Sequence, residues 1–190
     1  MTYESILYEV DQGVGLLTLN RPERLNAWNT KMAAEIGSVL SDAETDDQVR
    51  AVVITGSGRA FCAGQDLSEG EETFADKPDA NPHEQGTPPT MPWDVSKPVV
   101  AAINGHAVGV GLTFPLTCDV RFVAQDAKLQ FAFVRRGIAP ELGSTKLLTR
   151  MVGLQVASDL LMSGRFFSGT EAEQIGLAAQ APVSYTHLPL

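Results

Sequence analysis

The chain has 190 residues, of which 44% are hydrophobic and 19% are charged, so its composition is that of a globular protein with one sizeable core. Asp and Glu number 23 against 14 Lys and Arg, and the resulting charge of -9 argues against nonspecific binding to nucleic acid or to an anionic membrane. Residues 1–10 carry no secretory signal, and the longest apolar stretch, residues 107–120, is too short and too often interrupted to span a bilayer. We therefore expect a soluble protein that binds neither nucleic acid nor membranes.

The two cysteines, Cys62 and Cys118, are too few for a disulfide scaffold and are expected to be small buried side chains in a reducing cytoplasm. Neither has a His or Cys partner at ligand spacing. We therefore expect a cytoplasmic protein without a metal site.

Hydrophobic periodicity predicts an α/β core. Apolar runs at residues 14–19, 51–55 and 99–103 are typical of buried strands, and the apolar spacing after Lys31 predicts an amphipathic helix capped by Asn29 or Thr30. The later elements predicted in the same way are strands at 119–124 and 128–133 and helices at 142–152, 155–163 and 170–175, the last capped by Ser168 or Thr170.

Between Asp66 and Asp94 the composition changes to eight carboxylates and five prolines against a single lysine. We expect a variable acidic loop at about 68–94 within one core domain that covers residues 1–178. Such a loop is either a lid over the site or a plain solvated excursion.

Two glycine-rich segments follow predicted strands: GRAFCAGQDL at residues 58–67 and NGHAVGVG at 104–111. Small residues let the backbone turn its N–H groups toward a pocket, and the second segment resembles a helix N-terminus, where unpaired amides favour negative charge. If both segments converge, they supply two donors for one oxygen, which is the requirement of an oxyanion hole. Either segment alone could equally be a simple turn.

Taken in order, three segments resemble the crotonase superfamily, also called the enoyl-CoA hydratase/isomerase family: LNRPERLNA at 19–27, ITG at 54–56 continuing to Leu67, and PVVAAING at 98–105 continuing to Asp119. The resemblance covers about residues 14–177. It implies an α/β, crotonase-like spiral of repeated ββα units, a homotrimer or hexamer, and a role in fatty acid metabolism such as β-oxidation. The substrate it implies is an acyl-CoA thioester, which carries its own coenzyme A and leaves no need for another cofactor.

By the same resemblance, the amides that hold the thioester oxygen belong to Gln65 and Val110. The family's contacts with CoA and substrate fall on Arg24, Leu25, Ala27, Ala63, Asp66, Leu67 and Gly109. Arg24 could bind a phosphate of CoA although the chain as a whole is acidic, or it could be an exposed arginine in a turn.

Hydratases of this family use two glutamates, and here those positions hold Thr113 and Phe133, neither of which is a general base. A third position, in the segment GIAPELG at 137–143, holds Glu141, which we expect at the start of a helix. Family isomerases carry their catalytic acid at this point. One carboxylate is enough to shift a double bond, because the proton taken from one carbon can be returned to another. Charge complementarity at a helix start is the alternative reading of Glu141.

An enoyl-CoA isomerase that uses Glu141 is therefore the favoured function. A hydratase that activates water with Glu141 alone and an acyl-CoA-binding scaffold without turnover remain as alternatives.

His106 lacks a positioned nucleophile or metal partner and is expected to be structural. Residues 179–190 are expected to be an atypical tail in place of the family's C-terminal helical region, with weak CoA binding, ill-defined oligomers and slow turnover as the consequence.

Overall fold

The computed structural model describes residues 3–68 and 89–183, whose strands form two sheets. The five-stranded sheet contains, in spatial order, β1 (Ile6–Asp11), β2 (Val14–Leu19), β3 (Ala51–Gly56), β5 (Val99–Ile103) and β7 (Val120–Val123). The four-stranded sheet contains β4 (Ala60–Cys62), β6 (His106–Val108), β8 (Lys128–Gln130) and β9 (Phe166–Ser168). The helices are α1 (Thr30–Thr45), α2 (Val110–Thr113), α3 (Phe133–Arg136), α4 (Ser144–Val152), α5 (Leu154–Ser163) and α6 (Gly169–Gln174).

From β3 to β8, successive strands alternate between the two sheets. The chain passes from β3 to β4, from β5 to β6 and from β7 to β8, and α2 follows β6 while α3 follows β8. The strands β4, β6 and β8 pair in parallel, so their carboxyl ends lie at one edge of the smaller sheet. The segments that follow β4, β6 and β8 therefore lie close together at this edge. Their proximity results from the repetition of ββα units that the resemblance implied.

The core forms where the sequence is most periodic. In β2, Leu17 and Leu19 are fully buried on one face, and the helix α1 buries Met32, Ile36 and Leu40 at helical spacing. The side chain of Asn29 caps α1 by accepting a hydrogen bond of 2.8 Å from the N–H of Met32. The predicted bounds of β2 and β5 and the predicted start of α1 are confirmed.

Two predicted elements differ from the structure. The strand predicted at 128–133 ends at Gln130, and Phe133 begins α3, which ends at the left-handed Gly137. A short apolar run of this kind suits either a strand or a helix, so the prediction was wrong beyond Gln130. The helix predicted from Leu142 begins at Ser144, because Leu142 and Gly143 have φ of 50° and 63°, outside the helical region.

The residues after Ala178 continue along the larger sheet. Ala179 donates to the carbonyl of Arg121 at 2.8 Å, and Val123 donates to that of Gln180 at 3.1 Å. Most of the expected acidic loop and residues 184–190 of the expected tail lie outside the described residues. Within the described ranges, no helix is long and apolar enough to cross a membrane.

Candidate active site

Two glycines turn the backbone immediately before the two amides expected to form the oxyanion hole. Gly64 precedes Gln65 with φ of 103°, and Gly109 precedes Val110 with φ of 56°. Both values lie in the left-handed region that favours glycine. Within the described part of the chain, neither the Gln65 N–H nor the Val110 N–H donates a hydrogen bond, so both amides remain available to a ligand.

Backbone hydrogen bonds hold the first of these turns in place. Trp28 donates to the carbonyl of Gly64 at 2.8 Å, and Asp66 donates to the carbonyl of Trp28 at 2.8 Å, so the peptide of Gln65 is clamped from both sides. The first motif segment therefore fixes the orientation of the second.

The second turn is held by a hydrogen bond and by close packing. The N–H of Gly109 donates to the carbonyl of Gln130 at 3.0 Å. In α2, a Cβ on Gly111 would lie 2.2 Å from the carbonyl oxygen of Cys62, so only glycine allows α2 to approach β4 this closely. A Cβ on Gly109 would meet nothing within 4 Å, so this residue faces open space beside the Val110 amide.

Gln65 and Val110, the residues that carry the two amides, both line one cavity of about 320 Å³. Several of the residues that line this cavity were predicted from the sequence. The apolar and basic residues that β8 and α3 contribute to its wall were not predicted. The lining residues are Ala63, Gly64, Gln65, Leu67, Val108, Gly109, Val110, Gln130, Ala132, Phe133, Arg135, Arg136, Ile138 and Glu141.

A second, smaller cavity adjoins the first and shares Gln65, Val110 and Glu141 with it. The rest of its wall is mainly apolar: Trp28, Ala33, Ile36, Pro89, Thr90, Met91, Phe114 and Leu142. The rings of Trp28 and Phe114 lie 4.9 Å apart in a tilted arrangement. Gln65, Val110 and Glu141 therefore lie where the two cavities adjoin. The smaller cavity, with its mainly apolar wall, suits an apolar group.

Glu141 is the one acidic residue among the described residues that line either cavity. Glu141 is exposed as a whole residue, but the protein atoms around its carboxyl displace part of the water there and raise its pKa above the usual glutamate value. The prediction that it starts a helix was wrong, since α4 begins at Ser144, whose N–H donates to the Glu141 carbonyl at 2.9 Å. Glu141 lies three positions before the first residue of α4, so charge complementarity within the first turn of this helix does not account for it.

Thr113 and Phe133, the positions at which the resemblance implies glutamates in hydratases, differ in their access to the site. Phe133 lines the larger cavity and closes its wall with an apolar ring. Thr113 is fully buried in α2, and its hydroxyl has no hydrogen-bond partner among the described residues. Thr113 lines neither cavity, so Phe133 is in contact with the reaction space and Thr113 is not.

The expected CoA contacts divide into two groups. Ala63, Leu67 and Gly109 line the larger cavity. The other four, Arg24, Leu25, Ala27 and Asp66, lie outside its wall, and the Asp66 carboxylate pairs with Arg21 at 2.8 Å. The hydrogen bond from Arg21 holds the pKa of Asp66 below its usual value. The side chain of Asp66 therefore joins two motif segments.

The structural roles expected for His106 and the cysteines agree with their contacts. His106 Nδ1 accepts a hydrogen bond of 3.2 Å from the N–H of Lys128, which ties β6 to β8. Cys62 and Cys118 are both free and buried, and burial raises the pKa of each thiol to about 12. Neither thiol can serve as a nucleophile near neutral pH.

Comparisons with known proteins place this geometry among acyl-CoA enzymes. Residues 9–184 match a family model described as enoyl-CoA hydratase/isomerase. The chain is 39% identical over 185 residues to the probable enoyl-CoA hydratase echA8 of Mycobacterium tuberculosis, covering 95% of this chain and 69% of that protein. It is 38% identical over 191 residues to the 1,2-epoxyphenylacetyl-CoA isomerase of Escherichia coli, covering 93% of this chain and 69% of that protein.

Solved structures of enoyl-CoA hydratase/isomerase proteins are also similar to this fold. A probable enoyl-CoA hydratase/isomerase from Mycobacterium abscessus superposes with a TM-score of 0.83 at 35% identity, covering 93% of this chain and 68% of that one. The OdaA protein of Pseudomonas aeruginosa superposes with a TM-score of 0.81 at 37% identity, covering 94% and 71%. These matches confirm the α/β fold that the sequence resemblance implied.

Proposed function

Because the chain belongs to the enoyl-CoA hydratase/isomerase family and is an enzyme of that family, we propose that it shifts the double bond of an enoyl-CoA thioester. The observation that carries this proposal is the position of Glu141. It is the one acidic residue among the described residues that line the two cavities, and both cavities share it with Gln65 and Val110.

The chemistry needs no second acid. The thioester oxygen accepts hydrogen bonds from the Gln65 and Val110 amides, each donor being worth about 3 kcal/mol to the developing negative charge. With a 3-enoyl thioester, the Glu141 carboxylate takes a proton from C2, and the electron pair spreads over the dienolate to the thioester oxygen. The same carboxyl then returns the proton to C4, which leaves the double bond between C2 and C3. The raised pKa makes Glu141 a stronger base for the first step.

The remaining parts of the site support binding of the thioester. Ala63, Leu67 and Gly109 contribute to the wall of the larger cavity, and we assign the CoA portion to this side, with Arg24, Leu25, Ala27 and Asp66 in the adjoining segments. Arg24 is exposed and can meet a phosphate. The substrate brings its own CoA, and the reaction as written needs no other cofactor. A homotrimer or hexamer, a cytoplasmic location and a place in fatty acid β-oxidation complete the proposal.

A hydratase is the second candidate, because several similar proteins carry that name. Water addition would have to be activated by Glu141 alone, since Phe133 closes the wall beside the amides and Thr113 lines neither cavity. A binding scaffold without turnover is the third candidate.

One assay separates the three. Double-bond migration in a 3-enoyl-CoA and water addition to a 2-enoyl-CoA are measured with the native chain, with Glu141→Gln and with the control Glu9→Gln, a change on the exposed side of β1. We expect migration to exceed hydration and Glu141→Gln to lower it at least about 100-fold, as for loss of a general acid-base group. Faster hydration would favour the hydratase, and binding without turnover would favour the scaffold. Activity unchanged by Glu141→Gln would contradict the proposal.

A further inference from the structure

Two arginines close α3 and line the cavity that holds the two amides, but only one of them is anchored. Arg135 donates from Nε to the carbonyl of Gly164 at 2.6 Å, and a Cβ on Gly164 would lie 3.2 Å from its stem, so Arg135 is packed in place. Arg136 is exposed, and among the residues that the structure describes it takes part in no hydrogen bond or ion pair. Its guanidinium is therefore available to a ligand in the cavity.

The nearby carboxylate does not neutralise this charge. Among the described residues, Glu141 forms no ion pair, and partial burial raises the pKa of its carboxyl. Glu141 and Arg136 thus line the same cavity without pairing. In a chain whose formal charge is -9, a cation that lines this cavity without a partner in the described ranges is a local exception, and its charge suits an anionic ligand.

We infer that Arg136 recognises a carboxylate on the acyl part of the substrate, so that the enzyme prefers enoyl-CoA thioesters whose acyl chain ends in an acid. This inference rests on the proposed function and adds a substrate class to it. Arginine suits the role because its planar fork binds a carboxylate through two parallel hydrogen bonds.

The phosphates of CoA are the other anions in such a substrate, but they are poorly placed for Arg136. Cysteamine, β-alanine and pantoate units separate them from the thioester, whereas Arg136 lines the same cavity of about 320 Å³ as the amides that hold the thioester oxygen. The expected CoA contacts Ala63 and Leu67 come from the segment after β4, whereas Arg136 is the last residue of α3. A group that reaches both the amides and Arg136 is therefore a short acyl chain.

A matched pair of substrates tests this inference. The thioesters 3-hexenedioyl-CoA and 3-hexenoyl-CoA undergo the same double-bond shift and differ in whether the chain ends in a carboxylate or a methyl group. We expect the native chain to favour the dioic substrate in kcat/KM. We expect Arg136→Met to lower kcat/KM for that substrate about 10- to 100-fold, as for loss of a charge-assisted hydrogen bond, with at most about a twofold effect on 3-hexenoyl-CoA. Arg136→Lys should retain part of the preference.

Arg150→Met is the control, because Arg150 is an exposed residue of α4 that lines neither cavity. Binding of the unreactive analogues adipyl-CoA and hexanoyl-CoA, measured by calorimetry, gives a second readout that does not require turnover. A preference for adipyl-CoA that Arg136→Met removes would support the inference even if Glu141→Gln left catalysis unchanged. Failure of the inference is thereby distinguishable from failure of the proposed function.

Two results would overturn the inference. Equal kcat/KM for the two substrates in the native chain, unaltered by Arg136→Met, would make Arg136 an ordinary surface arginine. Equal loss for both CoA substrates, with no loss for the corresponding pantetheine thioesters that lack phosphates, would assign Arg136 to the phosphates of CoA.

Discussion

Arg21 and Asp66 lie 45 positions apart in the chain and form an ion pair of 2.8 Å that joins the first motif segment to the second. Arg21 also donates to the carbonyl of Ala27 at 2.6 Å. The fully buried Asn26 adds a second link, donating from its side chain to the carbonyl of Ala60 at 2.8 Å. The conformation of the turn before Trp28, and hence the clamp on the Gln65 peptide, depends on these side chains.

We predict that Arg21→Met lowers the free energy of unfolding by about 1–2 kcal/mol near neutral pH, because both groups of the pair are largely buried and Asp66 keeps its charge. The folded-state pKa of Asp66 is lowered, so this stabilisation is present above the usual aspartate pKa and is lost as the pH falls through the lowered value. The difference between the variants in urea denaturation should therefore shrink in strongly acidic buffer. Lys31→Met, which breaks the exposed pair with Glu4, should cost less than about 0.5 kcal/mol.

The raised pKa of Glu141 predicts a trade between stability and activity. A carboxyl whose pKa is higher in the folded than in the unfolded state destabilises the protein above that pKa and has no effect below the unfolded value. Glu141→Gln should therefore raise the melting temperature at neutral pH and leave it unchanged near pH 4, while activity is lost. In the native chain, kcat/KM should rise with pH through a pKa above that of an ordinary glutamate. A melting temperature lowered at neutral pH would contradict the pKa direction.

Gly109→Ala separates a cost in stability from a cost in catalysis. The added Cβ meets nothing within 4 Å, so the penalty comes from the left-handed φ of 56° alone and should be about 1–2 kcal/mol. Relief of that strain would turn the Val110 amide, and turnover should fall about 100-fold or more. The control is Gly153→Ala, where φ is 79° and a Cβ again meets nothing within 4 Å, between α4 and α5. It should show a similar loss of stability with activity retained.

Thr113→Val tests a position at which the resemblance implies a glutamate in hydratases. Because the Thr113 hydroxyl is fully buried without a partner among the described residues, replacing it by a methyl group of similar size should stabilise the fold by about 1 kcal/mol. Migration activity should not change, since Thr113 lines neither cavity. A large loss of turnover at unchanged stability would give Thr113 a role in the reaction that its position in α2 does not suggest.

The sequence predicted those elements whose burial repeats over several residues. The bounds of β2 and β5 followed from their apolar runs, and the Asn29 cap marked the start of α1. The three-residue strands β4 and β6 were predicted only as glycine-rich segments, because strands this short have no readable periodicity and form by pairing with each other.

The candidate site was only partly predictable, because some of its residues belong to recognisable motifs and others come together only in the tertiary fold. Gln65, Val110 and Glu141 were identified from a motif resemblance, and the structure places all three on the same cavity. The position of Arg136 on this cavity and the apolar cavity beside Trp28 could not be predicted from the local sequence. Each depends on which segments the tertiary fold brings together. The Arg21–Asp66 pair also required the tertiary fold, because nothing in either segment indicates its partner.

Leu142 carries strain at the residue after the proposed acid. Its φ of 50° is unusual for a bulky side chain, and that side chain lines the apolar cavity, so packing there holds the turn that points Glu141 to the junction. We predict that Leu142→Gly lowers kcat about tenfold, because the turn loses its anchor. Leu142→Ala keeps the strain and loses the packing, and urea denaturation should find it about 1 kcal/mol less stable than Leu142→Gly. Gln12→Gly, at φ of 49° in the exposed β1–β2 turn, should relieve comparable strain with full activity retained. If Leu142→Gly keeps the native kcat, then packing of this side chain does not position Glu141.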